Sequence, residues 1–182
     1  MSNRLADLYK TKVQKELASE LGVKNLMAAP MIEKIVLNAG VGELAKNKDS
    51  FEKFKSELTA ISGQKATVRP AKISVAGFNV RAGSPVGVSV TLRGVRMYDF
   101  LDKFIAVVLP RLRDFRGIPT KSFDKSGNYS LGLTDHTVFP EVDAAKVEKA
   151  RHLEVTIVVE NGSPEKSKRL LELMGMPFVK EG

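Results

Sequence analysis

The heptapeptide RLRDFRG combines side chains that could bind nucleic acid. Arg111, Arg113 and Arg116 surround Phe115. Guanidinium groups form forked hydrogen bonds to phosphate, and an aromatic ring can stack on a base. The spacing therefore indicates an RNA contact, and the alternative interpretation is a core Phe115 with arginines on the solvent side.

A second candidate is GVGELA, from Gly40 to Ala45, between a predicted strand and a predicted helix. It formally matches the G-x-G-x-x-G/A fingerprint of dinucleotide-binding folds. That fingerprint also requires an acid about twenty residues further on, where this sequence reads ISGQKATVR and ends in Arg69. Arg69 could meet a 2′-phosphate, but no second α/β half follows. A tight turn explains the glycines equally well.

Catalytic and metal-binding constellations are missing from the sequence. His136 and His152 have no third ligand at metal spacing, and there is no cysteine. Neighbouring acids occur in pairs but come without a candidate nucleophile. We therefore predict no enzyme activity, no metal and no cofactor, with surface or hydrogen-bonded histidines.

The positive charge is concentrated in the middle of the chain. The net charge is +8, and the segment Lys65–Lys121 holds eleven Lys and Arg against three acids, whereas the remainder is balanced. Such a patch favours an anionic partner, and RNA fits better than DNA because no predicted helix is basic along one side. A solvated face without a partner, a nucleotide-dependent enzyme and a protein-only interaction module are the alternatives.

Apolar periodicity predicts four helices. They run from Leu5 to Leu21 before Gly22, from Asp49 to Gly63, from Met97 until Pro110, and from Ser163 with Pro164 to Gly175. Asp49 and Glu52 resemble a capping box at the start of the second helix. Charges interrupt the N-terminal apolar positions every few residues, so this segment is neither a signal peptide nor a membrane span, and we predict a cytoplasmic protein.

Alternating β-branched residues predict strands over Ile32–Asn38 and Leu153–Val159 and a third from Val86 onward. In this third strand, one face is predicted to be core, with Val86, Val88, Val90 and Leu92. The other face is predicted to be polar and cationic, with Gly87, Ser89, Thr91 and Arg93. Lys72–Gly87 is predicted as a long flexible loop, and Arg111–Leu133 as an extended excursion or hairpin outside the main core.

These elements predict an α+β fold with helices packed on one side of a mostly antiparallel sheet. The length of 182 residues favours a single domain that spans residues 1–182. The polar strand face, the basic loop with Lys72 and Arg81, and the RLRDFRG segment together indicate a broad RNA-binding surface.

Seven segments resemble, in order and spacing, the bacterial family of the fifth large-subunit ribosomal protein, which binds 5S rRNA. They are KIVLNAGVGE, AISGQK, SVAGFNVRAGSPVG, VTLRGVRMYDFLDK, LPRLRDFRG, SFDKSGNYSLG and FPEVD. The resemblance covers nearly the whole chain. It implies an architectural component of the large ribosomal subunit in the cytoplasm, without a cofactor and without a membrane partner.

The resemblance also implies partners and contact residues. The implied partners are 5S rRNA, 23S rRNA, P-site tRNA, a small-subunit head protein at an intersubunit bridge, and neighbouring large-subunit proteins. The implied 5S rRNA contacts are Asn38, Gln64, Thr91 and Arg93, with Lys65 and Arg69 adding charge nearby.

Two further segments correspond to the family's outer contacts. The implied tRNA-contacting loop runs from Lys72 to Pro85 and would use Lys72, Ser74, Phe78, Asn79, Arg81 and Ser84. Many family members carry basic residues at positions 73 and 79, so Ile73 and Asn79 imply a less charged loop. The segment Arg111–Asn128 would form the bridge or a further RNA contact through Arg111, Arg113, Phe115 and Arg116.

Overall fold

One antiparallel sheet runs through the chain. Its strands are β1 (Met31–Gly40), β2 (Thr67–Pro70), β3 (Pro85–Leu92), β4 (Tyr129–Leu133) and β5 (Leu153–Glu160), in the spatial order β2-β3-β1-β5-β4. The computed structural model describes residues 4–179 except Glu43, Ala45, Lys46, Asp114 and Glu148. The prediction of an α+β fold with a mostly antiparallel sheet is confirmed.

Within the described residues, four helices longer than a single 3-10 turn accompany the sheet. Helix α1 has α-helical ends, Arg4–Leu8 and Gln14–Glu20, around a π-helical turn, Tyr9–Val13. Helix α2 is Lys48–Ser62, helix α3 joins Gly94–Lys103, the π-helical Phe104–Val108 and Leu109–Arg111, and helix α4 is Pro164–Leu173. Among the described residues, no helix is both long and apolar enough to cross a membrane.

Several helix boundaries differ from the prediction: α3 begins at Gly94 rather than Met97, and α4 ends at Leu173 rather than Gly175. Helix α2 is capped by Asn47, whose side chain accepts hydrogen bonds from the backbone N–H groups of Asp49 and Ser50, so the capping box predicted at Asp49 is wrong. Helix α3 continues to Arg111 rather than stopping at Pro110. A wide π turn precedes this proline, and within it Leu109 N–H donates to Phe104 O, five residues earlier.

The described chain divides into two compact units. Unit 1 comprises residues 1–35, 92–131 and 156–182, and unit 2 comprises residues 36–91 and 132–155. Strands β1, β3, β4 and β5 each contain residues of both units. The division therefore follows neither the order of the chain nor the limits of single strands.

Unit 1 is built around the apolar sides of α1, α3 and α4. The Tyr9 hydroxyl donates to Pro30 O at 3.1 Å, and Arg4 of α1 forms an ion pair with Asp102 of α3. The buried side chains of these helices include Leu5, Val13, Leu17, Met97, Phe100, Leu101, Phe104, Val108, Leu170 and Leu171.

Part of the predicted excursion also belongs to the core of unit 1. Ile118 and Tyr129 are buried, and the Tyr129 hydroxyl donates to Pro119 O at 2.9 Å. Phe123 packs on Tyr129 with ring centroids 4.7 Å apart, and Phe178 lies against both rings. Aromatic burial outweighs the Gly-rich composition here, so the prediction that this whole segment lies outside the core is wrong at these residues.

Unit 2 has a core of its own. The apolar side of α2, with Phe51, Phe54, Leu58 and Ile61, is buried, as are Leu37 of β1 and Val88 and Val90 of β3. His136 is buried as well: its Nδ1 accepts the Arg151 N–H at 3.1 Å, and its Nε2 lies 3.3 Å from Glu57 Oε2. Because Nδ1 is the acceptor, the proton sits on Nε2 and bonds to Glu57. The prediction of a hydrogen-bonded histidine is confirmed at this position.

The turn at Gly127 provides a direct test of packing in unit 1. Gly127 has a φ of +82°, and a Cβ added there would lie 2.5 Å from Ser167 Oγ and 2.8 Å from the backbone of Ser163. We expect Gly127→Ala to lower the free energy of unfolding by about 2–4 kcal/mol, through overpacking and backbone strain. Urea denaturation measures the change. Gly132→Ala is the control, because no heavy atom lies within 4 Å of the added Cβ, and equal losses for both variants would refute the packing argument.

We propose that residues 1–182 unfold as a single domain, because four strands supply residues to both units. The expected result is one unfolding transition that is coincident by far-ultraviolet circular dichroism and tyrosine fluorescence, with equal calorimetric and van't Hoff enthalpies. Two separated transitions would show that the units are independent domains.

Candidate RNA interface

Strand β3 presents a polar side within unit 2. Val88 and Val90 are buried, whereas Ser89 and Thr91 alternate with them and point to the opposite face. Thr91 is half-buried, and the Ser89 hydroxyl lies beneath the side chain of Arg69. The predicted alternation is confirmed at Val88, Val90 and Thr91. It is wrong at Val86, which was predicted on the core side and is 38% exposed, and Ser89 is itself buried, beneath Arg69.

Strand β2, which the sequence did not predict, brings Arg69 onto this polar side. The antiparallel register pairs Thr67 with Ser89 and Arg69 with Gly87. Arg69 Nε donates to Ser89 Oγ at 2.7 Å, which fixes the direction of the guanidinium group. The two Nη groups of that guanidinium form the fork that suits a phosphate.

Gly87 allows neighbouring side chains to converge above β3. A Cβ built at Gly87 would lie 3.9 Å from Asn38 Oδ1 and 3.8 Å from Arg69 Cβ. The strand between Asn38 and Arg69 therefore carries no side chain at this level, and both groups border the same patch. The structure thus brings together two residues that the sequence analysis connected only by family resemblance.

Gln64 also reaches β3. Its Nε2 donates to the backbone carbonyl of Thr91 at 2.9 Å, from a half-buried position just after α2. Lys65, the next residue, is exposed. We refer to Asn38, Gln64, Lys65, Arg69, Ser89 and Thr91 as the polar face of unit 2.

Arg93 belongs to unit 1, directly after the end of β3. Its Nη1 donates to Glu33 Oε1 at 2.8 Å, and this hydrogen bond holds the pKa of Glu33 below its ordinary value. The Arg93 side chain is 56% exposed. Exposed ion pairs are weak, so a phosphate group can compete with Glu33 for this guanidinium.

The loop from residue 71 to residue 84 forms a narrow exposed hairpin. Ala71 N–H donates to Ser84 O at 2.8 Å, and the backbones of Val75 and Val80 pair across the hairpin. Phe78 at the tip is 80% exposed. Most of the other predicted tRNA-contact residues are also exposed: Lys72, Ser74, Asn79 and Arg81, while Ser84 is half-buried.

Two of these loop residues serve the hairpin itself. Ser74 Oγ accepts the Ala82 N–H at 2.9 Å, and Asn79 adopts the left-handed conformation with a φ of 53°. An asparagine tolerates this conformation better than most residues, including a basic one. The local turn therefore supplies a physical reason for Asn79 at this position.

The RLRDFRG segment follows the end of α3. Arg111, Arg113 and Arg116 are exposed, and Phe115 is half-buried. Asp114 lies outside the described residues. The sequence left two interpretations open for Phe115, a ring that stacks on a base and a core residue. Its half-buried ring matches neither one fully.

A surface depression of about 270 Å³ was not predicted from the sequence. It is lined in unit 2 by Asn38 of β1, Thr134, which follows β4, and His152 and Glu154 at the start of β5, over buried Leu133 and Leu153. Asn38 Nδ2 donates to Glu154 Oε2 at 3.4 Å. The sequence pattern that could have indicated this depression is the alternation of polar His152, apolar Leu153 and acidic Glu154.

The turn after β1 is described only in part, and the first described α-helical residue that follows it is Lys48. Val41 N–H donates to Val86 O at 3.1 Å, and Gly42 has a φ of 41°. Glu43 and Ala45 of the GVGELA motif lie outside the described residues. Within the described part of the chain, no group of three His, Cys, Asp or Glu side chains could hold a metal ion.

Comparisons with known proteins identify the family. A family model described as "Ribosomal protein L5" matches residues 25–81, and one described as "ribosomal L5P family C-terminus" matches residues 85–178.

Relatives from several bacteria are similar over nearly their whole length, and each is named "Large ribosomal subunit protein uL5". The Carboxydothermus hydrogenoformans protein is 50% identical over 175 residues, which cover 96% of this chain and 98% of the relative. The Streptococcus pyogenes protein is 48% identical over 180 residues, 99% of this chain and all of the relative. The Dehalococcoides mccartyi protein is 50% identical over 171 residues, 94% of this chain and 96% of the relative.

These matches confirm the resemblance drawn from the sequence. Proteins of this family are structural constituents of the large ribosomal subunit in the bacterial cytoplasm, and they are not enzymes. This chain therefore belongs to the ribosomal protein L5 family.

Proposed function

We propose that this chain binds 5S rRNA through Asn38, Gln64, Lys65, Arg69, Thr91 and Arg93 and helps to attach it to the large subunit. The polar face of unit 2 carries the proposal, because Asn38 and Arg69 border the same patch across Gly87. Such a patch suits the sugar–phosphate backbone and the exposed base edges of a folded RNA.

Some residues of the polar face offer contacts to RNA, and others orient the residues that do. The Arg69 guanidinium, oriented by Ser89, can fork onto a phosphate, and exposed Lys65 adds a mobile positive charge. The Asn38 amide and the Thr91 hydroxyl can bond to ribose hydroxyls and base edges. Gln64 fixes the Thr91 segment through its bond to the Thr91 carbonyl and lies next to Lys65 in the chain.

We include Arg93 among the proposed 5S rRNA contacts because the family resemblance implies it and because it lies directly after β3. A phosphate would displace Glu33 from the guanidinium, so binding at Arg93 exchanges an internal carboxylate for an RNA anion. The exchange contributes little free energy by itself. It does, however, require the phosphate to occupy a defined position, which favours one RNA geometry over others.

We further propose that the hairpin of residues 71–84 contacts P-site tRNA. The exposed Phe78 ring can stack or pack against a nucleoside, and Lys72 and Arg81 can contact its phosphates. Ser74 and Asn79 form the hairpin that presents these groups, and Ser84 lies at its base. Few charges and no deep pocket suit a weak contact with a tRNA that must later leave.

We propose that the segment at the end of α3, which contains RLRDFRG, contacts partners other than 5S rRNA. The exposed Arg111, Arg113 and Arg116 and the half-buried Phe115 suit either a small-subunit head protein at an intersubunit bridge or 23S rRNA. Neighbouring large-subunit proteins complete the proposed set of partners. The support for these outer contacts is the family membership together with the exposure of the three arginines.

Single substitutions test the assignment of the 5S contact. We expect Asn38→Ala and Arg93→Ala each to weaken 5S rRNA binding about five- to tenfold, because each removes hydrogen bonds to the RNA. Arg81→Ala removes the same charge as Arg93→Ala but lies on the hairpin, and it should leave the affinity nearly unchanged. Gel-shift titration at one fixed salt concentration measures all three variants. Equal losses from all three would mean that the hairpin is misassigned.

The salt dependence of binding tests whether phosphate contacts supply the affinity. With Lys65, Arg69 and Arg93 each contacting a phosphate, log K should fall with log salt at a slope of about 2–3, from 0.7 to 0.9 per phosphate. A tRNA of similar length serves as the control and should bind more weakly and be lost at lower salt. A 5S rRNA complex whose affinity does not depend on salt would contradict the role of these cations.

A further inference from the structure

The depression beside Asn38 contains an acid where the proposed RNA surface should favour cations. Glu154 is exposed, lies at the start of β5, and receives the Asn38 amide N–H at 3.4 Å. A carboxylate repels phosphate and can only accept hydrogen bonds at neutral pH. Its role toward an RNA must therefore be to accept N–H or O–H groups rather than to neutralise the backbone.

Among the bases, guanine matches this pair of side chains. Its Watson–Crick edge presents the O6 acceptor, the N1–H donor and the N2 amino donor in a row, so a carboxylate can accept from N1 and N2 together. Adenine and cytosine each offer only one amino donor on that edge, beside a ring nitrogen that repels a carboxylate. The Asn38 amide nitrogen, adjacent to Glu154 Oε2, can donate its second hydrogen to O6.

The rest of the depression suits a single nucleoside. Its volume of about 270 Å³ lies just below the roughly 300–1,000 Å³ of pockets for drug-sized ligands. Exposed His152 directly precedes β5 and lines the depression together with Glu154, so its imidazole ring can stack on a base. Thr134 adds a hydroxyl that can bond to a ribose, and buried Leu133 and Leu153 lie beneath.

We propose that this depression binds one unpaired guanine of the RNA, with Glu154 and Asn38 reading its Watson–Crick edge and His152 stacking on its ring. The inference rests on the proposed function, since it names the base recognised beside the polar face of unit 2. It adds a sequence-specific element to contacts that otherwise depend on shape and phosphate charge.

A matched pair of charge-neutralising variants tests the role of Glu154. Glu154→Gln and Glu160→Gln each remove one negative charge from an exposed position of β5, and Glu160 does not line the depression. A general charge effect would tighten RNA binding in both variants. We expect Glu154→Gln instead to weaken 5S rRNA binding about tenfold, because an amide N–H replaces one acceptor that faces guanine donors, while Glu160→Gln binds at least as tightly as the parent protein.

Inosine substitution identifies the base. Inosine keeps O6 and N1–H but lacks the N2 amino group, so each unpaired guanine of 5S rRNA is replaced by inosine in turn. At one position, inosine should weaken binding of the parent protein about tenfold and cause no further loss in Glu154→Gln. Such non-additivity is the mark of two groups in direct contact.

The possible outcomes separate this inference from the proposed function. If the parent protein prefers 5S rRNA over tRNA, but Glu154→Gln behaves like Glu160→Gln or no inosine position is coupled to Glu154, the guanine inference is wrong and the proposed function stands. If the parent protein shows no preference for 5S rRNA, the proposed function fails and the inference fails with it. Thermal unfolding of both variants checks that the fold is retained.

Discussion

The alternation of side chains along β3 is the constraint on which the polar face depends. Successive residues of a strand point to opposite faces, so Val88 and Val90 can be buried only if Ser89 and Thr91 lie on the other side. Strand β3 also has a neighbour on each side, β2 and β1. The backbone N–H and C=O groups of β3 are therefore used in hydrogen bonds within the sheet. Any partner on the polar side must be recognised through side chains.

Those side chains are oriented by one another before a partner arrives. Ser89 fixes Arg69, the Thr91 carbonyl fixes Gln64, and Glu154 receives the Asn38 amide. Ordering long side chains in advance lowers the entropic cost of binding. In the exposed hairpin, by contrast, the Phe78 side chain at the tip is 80% exposed to solvent. This contrast agrees with a stable contact at the sheet and a transient one at the hairpin.

The sequence predicted the elements whose residues repeat with a clear period. The four helices and the strands β1, β3 and β5 were found because their apolar positions recur at helical or alternating spacing. Strand β2 was missed because it has four residues, is mostly exposed and ends in Pro70. Strand β4 was predicted as an excursion because glycine and basic residues surround Tyr129. The Tyr129 ring is in fact buried, and β4 is part of the sheet.

Long-range pairing explains what the sequence left out of the candidate interface. Nothing local to Arg69 indicates that Gly87 lies opposite it, and nothing local to Asn38 indicates Glu154, which is 116 residues away. Such partners depend on the order of strands in the sheet, which side-chain periodicity does not determine. The family resemblance supplied Asn38, Gln64, Thr91 and Arg93 as expected contacts, but not the serine and carboxylate that orient their neighbours.

Side-chain nuclear magnetic resonance can show whether the polar face of unit 2 binds 5S rRNA. The resonances to follow are the amide groups of Asn38 and Gln64 and the Nε–H of Arg69 during titration with 5S rRNA, with the Asn161 amide, which donates to Met27 O in unit 1, as the internal reference. If the polar face binds 5S rRNA, the first three resonances shift and saturate at one equivalent of RNA, while the Asn161 resonance does not shift. Saturable binding that leaves all three unshifted would place the 5S contact elsewhere on the protein.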